Sequence, residues 1–142
     1  MENLMSFNSL VVRKDDEGKT SGSVEKMTVE QLPAGNVTVA VEYSTVNYKD
    51  GLCLGSGGGM VRNYPHIPGI DMAGVVEASE DPRYKAGDRV VLTGWRYGEV
   101  HWGGYSQKTR VNADWLVGLP EGISTKQAMA VGTAGITAMF SV

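Results

Sequence analysis

Cysteine is almost missing from this chain of 142 residues, which holds only Cys53. A lone thiol excludes an internal disulfide and any four-cysteine zinc site. With no base evident beside it in sequence, Cys53 reads as an apolar thiol rather than a nucleophile. Histidine is nearly as scarce. His66 and His101 stand without Cys, Asp or Glu at ligand spacing, whereas a zinc site asks for three or four ligands. No run of one charge sign occurs either: 13 basic residues face 16 acidic ones, for a net charge of −3. This balance gives no electrostatic footprint for nucleic acid or anionic lipid, so neither a nucleic-acid nor a membrane partner is expected. Residues Met1 to Asn8 carry neither a basic cluster nor a sufficient apolar run, so no signal peptide reads there and the cytoplasm is the expected compartment.

Glycine, by contrast, is plentiful at 19 residues, and it falls between short segments rich in Val, Thr and Tyr. That pattern points to a mainly β body, and 142 residues suffice to bury roughly two-thirds of the unfolded surface around one core. The clearest strand is Val37 to Val46, where Val37, Val39, Val41 and Tyr43 alternate with Thr38, Ala40, Glu42 and Ser44. Further strands are expected at Ser9 to Arg13, Val24 to Val29, Ile70 to Ala78, Arg89 to Thr93 and Tyr105 to Val111. Breakers divide them at Asp15 to Gly22, Gln31 to Asn36, Asp81 to Gly87 and the long loop Gly94 to Gly104. Many short strands at this spacing favour a small barrel or sandwich over a βαβ array.

Three stretches carry candidate chemistry. Asn47, Tyr48, Lys49 and Asp50 interrupt the apolar pattern just past the best strand; such a cluster can hold an amide, a phosphate or a developing negative charge, or it can be a solvated turn capping a short helix at Lys49 to Leu54. Pro65 to Gly74, read P-H-I-P-G-I-D-M-A-G, fixes a strand entrance, with Asp71 in apolar surroundings needing a partner such as Arg62. The run Gly55 to Gly59 lacks the Lys-Ser/Thr of a phosphate loop. Finally, Ser124 with Gln127 fits a capping box, and the segment that follows is uncharged and apolar on every face up to Val142. A helix of that kind is normally buried, so it is expected to lead toward a further domain beyond these residues.

Read together and in order, eight blocks resemble one family. They are V-N-Y-K-D-G-L at Val46 to Leu52, V-R-N-Y-P-H-I-P-G-I-D-M-A-G-V-V at Val61 to Val76, S-E-D-P-R-Y at Ser79 to Tyr84, G-D-R-V-V at Gly87 to Val91, L-T-G-W at Leu92 to Trp95, H-W-G-G at His101 to Gly104, D-W-L-V at Asp114 to Val117 and G-T-A-G-I-T-A at Gly132 to Ala138. This series is similar to the acrylyl-CoA reductase, or YhdH-like quinone oxidoreductase, branch of the medium-chain dehydrogenase/reductases. The resemblance implies a GroES-like, partly open β-barrel over residues 1–123 and a connecting helix over 124–142, leading to a Rossmann domain that these residues do not include.

The resemblance also implies NADPH as cofactor, with the nicotinamide between the two domains and touched by Asn47, Tyr48, Thr133 and Thr137. Hydride transfer to the β-carbon of an α,β-unsaturated thioester such as an enoyl-CoA, or to a quinone or enone, follows from it, as does a homodimer for the complete enzyme. Charge moves onto the acceptor oxygen in such a step, so Tyr48 is the candidate catalytic donor. Lys49 and Arg62 suit an anionic acceptor, against ordinary surface duty, and Trp95 and Trp102 suit the walls of an acceptor pocket, against membership of the core. Zinc-dependent relatives carry a metal-binding Cys near the position of Tyr48 and a His-Glu pair where this chain has Ile70 and Asp71, so the implied enzyme is zinc-free. A stand-alone barrel acting as an interaction module is the alternative, with the apolar helix as its sticky surface. Elemental analysis after chelator washing is expected to find far less than one zinc per chain; about one tightly held zinc would overturn the assignment.

Overall fold

The computed structural model describes residues 6–55 and 59–142. Met1 to Met5, and Ser56 to Gly58 of the Gly55 to Gly59 run, lie outside the described residues. Strands β1 (Ser6–Lys14) and β2 (Thr20–Thr28) form an antiparallel hairpin registered from Ser6 opposite Thr28 to Lys14 opposite Thr20. Its turn is built by Asp15, whose carboxylate accepts the N–H groups of Glu17 at 3.1 Å and Lys19 at 2.8 Å. This local closure shortens the expected break at Asp15 to Gly22, so Thr20 to Gly22 enter the strand.

Five more strands make an antiparallel sheet: β3 (Val37–Ser44), β4 (Met72–Ser79), β5 (Arg89–Leu92), β6 (Lys108–Val111) and the two-residue β7 (Val117–Gly118), in the spatial order β6-β3-β4-β5-β7. The hairpin is stitched to it through Leu10 N–H to Tyr105 O at 2.8 Å and Gln107 N–H to Asn8 O at 2.9 Å. The expected mainly β, partly open barrel results. Two strand starts are corrected by where backbone groups go. Tyr105 O and Gln107 N–H turn to β1, at Leu10 and Asn8, and only the Gln107 carbonyl reaches β3, at Val41 N–H, so the paired register of β6 begins at Lys108. Ile70 N–H goes to the Asp50 carboxylate and Asp71 O accepts from Ser44 Oγ, so β4 begins at Met72 and not at Ile70. β7 escaped the sequence reading because two residues carry no periodicity.

Alternation in β3 buries Val37 and Val39 completely. Against them pack Met72, Val76, Val90, Leu92, Tyr97, Val111 and Leu116, forming the main core. Phe7, Val11, Met27, Leu32 and Ile67 form a second core beneath the hairpin, with Trp102 against it. Helix α1 (Tyr48–Leu54) follows β3, one residue earlier than expected. Helix α2 (Thr125–Phe140) is capped by Ser124, which accepts the N–H of Gln127 at 3.1 Å while Gln127 Oε1 accepts that of Ser124 at 2.9 Å, the reciprocal box read from sequence. α2 packs on β3, β4 and β5. It buries only Thr125, Met129 and Gly132, while Met139 and Phe140 stay exposed.

His66 is buried beneath this frame, its Nε2 2.8 Å from the carbonyl oxygen of Gly98. Facing a carbonyl, that nitrogen carries the proton. Burial lowers the imidazole pKa below 6.5, partly offset by the bond to Gly98. A depressed base favours the neutral form in the fold, so its contribution is complete above the unfolded pKa of about 6.5 and is lost as pH falls below it. The urea midpoint is therefore expected to drop between about pH 7.5 and pH 5 more steeply in the native sequence than in His66→Gln; equal slopes would show that His66 takes no part.

Candidate active site

Two buried carboxylates organise the region where β3 ends. Asp50, 1% exposed, sits in the first turn of α1. Its Oδ2 accepts the backbone N–H of Asn47 at 2.9 Å, the reciprocal half of a helix cap, and lies 3.3 Å from Asn47 Nδ2 and 3.1 Å from the Tyr105 hydroxyl. Its Oδ1 accepts Ile70 N–H at 3.0 Å. The Tyr105 hydroxyl also lies 2.8 Å from Thr45 O, and burial together with the charge of Asp50 pushes its pKa far up, so it stays a neutral donor.

Asp71, fully buried, takes the other side. Its Oδ2 accepts the Thr45 hydroxyl at 2.7 Å and the backbone N–H of Thr133 at 2.9 Å, and its Oδ1 accepts the Thr133 hydroxyl. Asn47 Nδ2 donates to Thr45 Oγ1 at 2.6 Å. A continuous polar chain thus runs Asn47–Thr45–Asp71–Thr133. The expected Arg62 partner is corrected: Arg62 is exposed, and Asp71 is satisfied by neutral donors at a depth where a guanidinium would itself lose its water.

The backbone N–H of Thr133 can reach Asp71 because α2 is broken at Gly132, which adopts φ 50° and ψ −165°. The second half of the helix restarts there, and its free N–H groups and partial positive charge meet the carboxylate. Only glycine fits: an added Cβ would lie 2.8 Å from Thr45 Cγ2 and 2.9 Å from Asp71 Oδ2. Sequence reading took α2 as one continuous helix, since Gly132 inside an apolar run does not announce which way it bends.

Beside this network opens a cleft of about 180 Å³ lined by Lys49, Ile70, Arg96, Tyr97, Glu99 and Thr133. Lys49 Nζ binds Glu99 Oε1 at 2.6 Å. Tyr48 projects from the first residue of α1 and is 83% exposed. Thr137 lies one turn beyond Thr133 and donates to its carbonyl at 2.8 Å. The structure therefore brings Asn47, Tyr48, Lys49, Thr133 and Thr137 to one end of the barrel. Trp95 stacks on Trp115, ring centroids 6.4 Å apart, with His101 tilted against the same ring. Trp102 does not line the cleft; its indole donates to Pro65 O at 3.1 Å and its ring closes the second core. Cys53 is buried with its thiol near Gly98 O, and burial pushes its pKa up to about 11, as an apolar thiol requires. Asp50 was legible as the third residue after the Asn47 cap, but Thr45, Tyr105, Arg96 and Glu99 carry no sequence signal. A larger groove, about 650 Å³ around Glu77 and Arg110, contains none of these residues.

Residues 33–121 match the alcohol dehydrogenase GroES-like domain. The chain belongs to that family. It is 71% identical over 137 residues to an acrylyl-CoA reductase of Ruegeria pomeroyi, covering 96% of this chain and 42% of that relative. The structure of the YhdH oxidoreductase of Salmonella enterica in complex with NADP is 53% identical with a TM-score of 0.90, over 94% of this chain and 41% of that one. The YhfP protein of Bacillus subtilis with NAD bound is 45% identical with a TM-score of 0.91, over 96% and 41%. Family and branch are those the eight blocks implied, and the chain spans less than half the length of these relatives.

The geometry makes Asp71 and Gly132 a unit. Asp71→Asn places an amide N–H₂ among three donors and is expected to cost about 2–3 kcal/mol of stability. Gly132→Ala, strained at positive φ, is expected to cost about 1–3 kcal/mol. Urea denaturation followed by circular dichroism measures both; losses under about 0.5 kcal/mol, the size of ordinary surface changes, would show the network to be decorative.

Proposed function

We propose that this chain is the N-terminal catalytic-domain part of an NADPH-dependent, zinc-free reductase that reduces the C=C bond of an α,β-unsaturated thioester of the acrylyl-CoA kind, or a quinone or enone. In this reading residues 1–123 form the barrel and 124–142 the helix that leads to a dinucleotide-binding domain. The single observation that carries it is the polar chain Asn47–Thr45–Asp71–Thr133, which ties the loop after β3 to the broken helix at one cleft. The names of the relatives supply the reaction class, and cytoplasmic location and a homodimer of the complete enzyme carry over from the resemblance alone.

The residues fit a nicotinamide. The Tyr48 phenol stands exposed with no hydrogen bond among the described residues, so a donor is free for a carboxamide or an acceptor oxygen, and the Asn47 amide beside it is fixed by Thr45 and Asp50. When bound, NADPH supplies the hydride that adds to the acceptor's β-carbon. The chain's own work is positioning. Asp50 fixes the backbone of Asn47, Asp71 fixes Thr133, and Tyr48 donates its O–H toward the oxygen on which charge develops. Lys49 and Arg62 offer cations to an anionic acceptor, and Trp95 offers an apolar wall. Zinc chemistry has no ligand set: among the described residues no three His, Cys, Asp or Glu gather to hold a metal ion, and Asp71 is already committed to Thr45 and Thr133. The interaction-module reading draws on an apolar groove of about 510 Å³ lined by Val117, Ile123, Val131 and Ile136.

The test joins this chain in frame to the remainder of the Ruegeria relative and measures NADPH oxidation with acrylyl-CoA. Tyr48→Phe, which removes one hydroxyl and little volume, is expected to lower kcat/KM at least about tenfold with melting temperature unchanged, and Asn47→Ala is expected to raise KM for NADPH. If both variants stay within about twofold of the parent, the site assignment is wrong; if the parent turns over neither thioester, quinone nor enone, the reductase reading is wrong.

A further inference from the structure

The loop between β5 and β6 contains a feature that the proposed reaction does not use. Trp95 and Arg96 both adopt left-handed backbone, φ 58° and 57°, within a turn closed by Tyr97 N–H to Gly94 O at 3.0 Å. Positive φ at both central residues is the pattern of a turn that selects Asn-Gly or Gly-Gly, and bulky side chains rarely take it. Trp95 is accounted for by its stack on Trp115. The Arg96 backbone is held by the turn that follows, its carbonyl accepting the N–H groups of Glu99, Val100 and His101, but its guanidinium is only loosely held. Its nearest ion-pair contact, Nε to Glu99 Oε2, is 4.0 Å long, and the side chain is 62% exposed. Glu99 is gripped instead by Lys49 at 2.6 Å. Lys49 and Arg96 thus share one carboxylate, two cations to one anion, and the loosely paired Arg96 guanidinium stands at the rim of the cleft that also contains Thr133.

We infer that Arg96 binds a phosphate group of a ligand lying in this cleft, its side chain aimed by the left-handed turn and its competition for Glu99 removed by Lys49. A guanidinium presents two parallel N–H groups to two oxyanion oxygens, a match that a neutral rim cannot give. The phosphate has two possible sources, the coenzyme A arm of a thioester acceptor and the phosphates of the dinucleotide, and the inference rests on the reductase reading only for this choice of probes.

The test needs no hydride transfer and uses the 142-residue chain. Coenzyme A, pantetheine and NADP⁺ are titrated separately while the Arg96 Nε–H resonance and the fluorescence of the Trp95–Trp115 pair are followed. A phosphate-bearing probe is expected to shift both signals, more weakly at higher salt, and the apparent Kd is expected to rise about tenfold in Arg96→Gln, the loss of one charge-assisted contact. Arg96→Gly relieves the positive φ, so it folds at least as well and is expected to lose binding equally. Arg96→Lys is expected to recover part of it. A response to coenzyme A but not to pantetheine assigns the phosphate to the acceptor; a response to NADP⁺ alone assigns it to the dinucleotide. No response to either phosphate-bearing probe, or equal binding by the parent, Arg96→Gln and Arg96→Gly, overturns the inference. A completed enzyme inactive on every acceptor, with Arg96-dependent phosphate binding intact, would instead overturn the reductase reading alone.

Discussion

A single carboxylate, Asp71, holds this end of the molecule together. Burying a charge without a cation is costly unless every lone pair facing the protein is bonded. Here the Thr45 hydroxyl and the hydroxyl and N–H of Thr133 supply those bonds. Each donor comes from a different structural requirement. Thr45 has to sit just past β3, and Thr133 has to begin a new helical segment with its N–H unspent. The break at Gly132 is what frees that N–H, so the helix gives up continuity to satisfy the charge, and the charge in turn stabilises the restarted helix end.

Asp50 does the complementary task one layer over. By accepting from Asn47, Ile70 and Tyr105 it holds the start of α1 against the entrance to β4. Ile70 and Asp71 are adjacent, so the two carboxylates hold neighbouring residues from opposite sides, one as the acceptor of a backbone N–H and one through its own side chain. The consequence is a dry, fully bonded floor beneath exposed groups: Tyr48 and Lys49 rise from the same helical turn whose base is fixed by Asp50. Such a division, with buried groups satisfied and surface groups left open, is what a site needs for precise placement without a rigid surface.

Much of this was legible in the sequence, for reasons that differ by residue. β3 was readable because alternation of Val37 and Val39 with polar neighbours is a local signal, and the Ser124–Gln127 box because its two halves lie three residues apart. The motif order identified the family. What stayed hidden depends on contacts between distant segments. Asp71 called for a partner, and charge alone suggested Arg62, whereas depth selects neutral hydroxyls and an N–H. Trp102 reads as a pocket wall by residue type, yet its indole is anchored to Pro65 and its ring to the second core. The early end of the Asp15 break was hidden in another way, in the capacity of one aspartate to accept two N–H groups of its own turn.

The loop from Gly94 to Gly104 has two unlike halves. Beyond Tyr97 its backbone lies directly on that of the Pro68 to Ile70 segment: a Cβ at Gly98 would sit 2.5 Å from Gly69 C and O, and one at Gly103 would sit 2.3 Å from Gly69 O. No side chain separates these segments, so they cannot be re-spaced by repacking. Before Tyr97 the turn faces solvent. Change over time is therefore channelled: length and chemistry can drift at the Gly94–Arg96 tip, while an insertion only a few residues later would pry two main chains apart. One loop can thus vary at its tip without loosening the barrel that carries it.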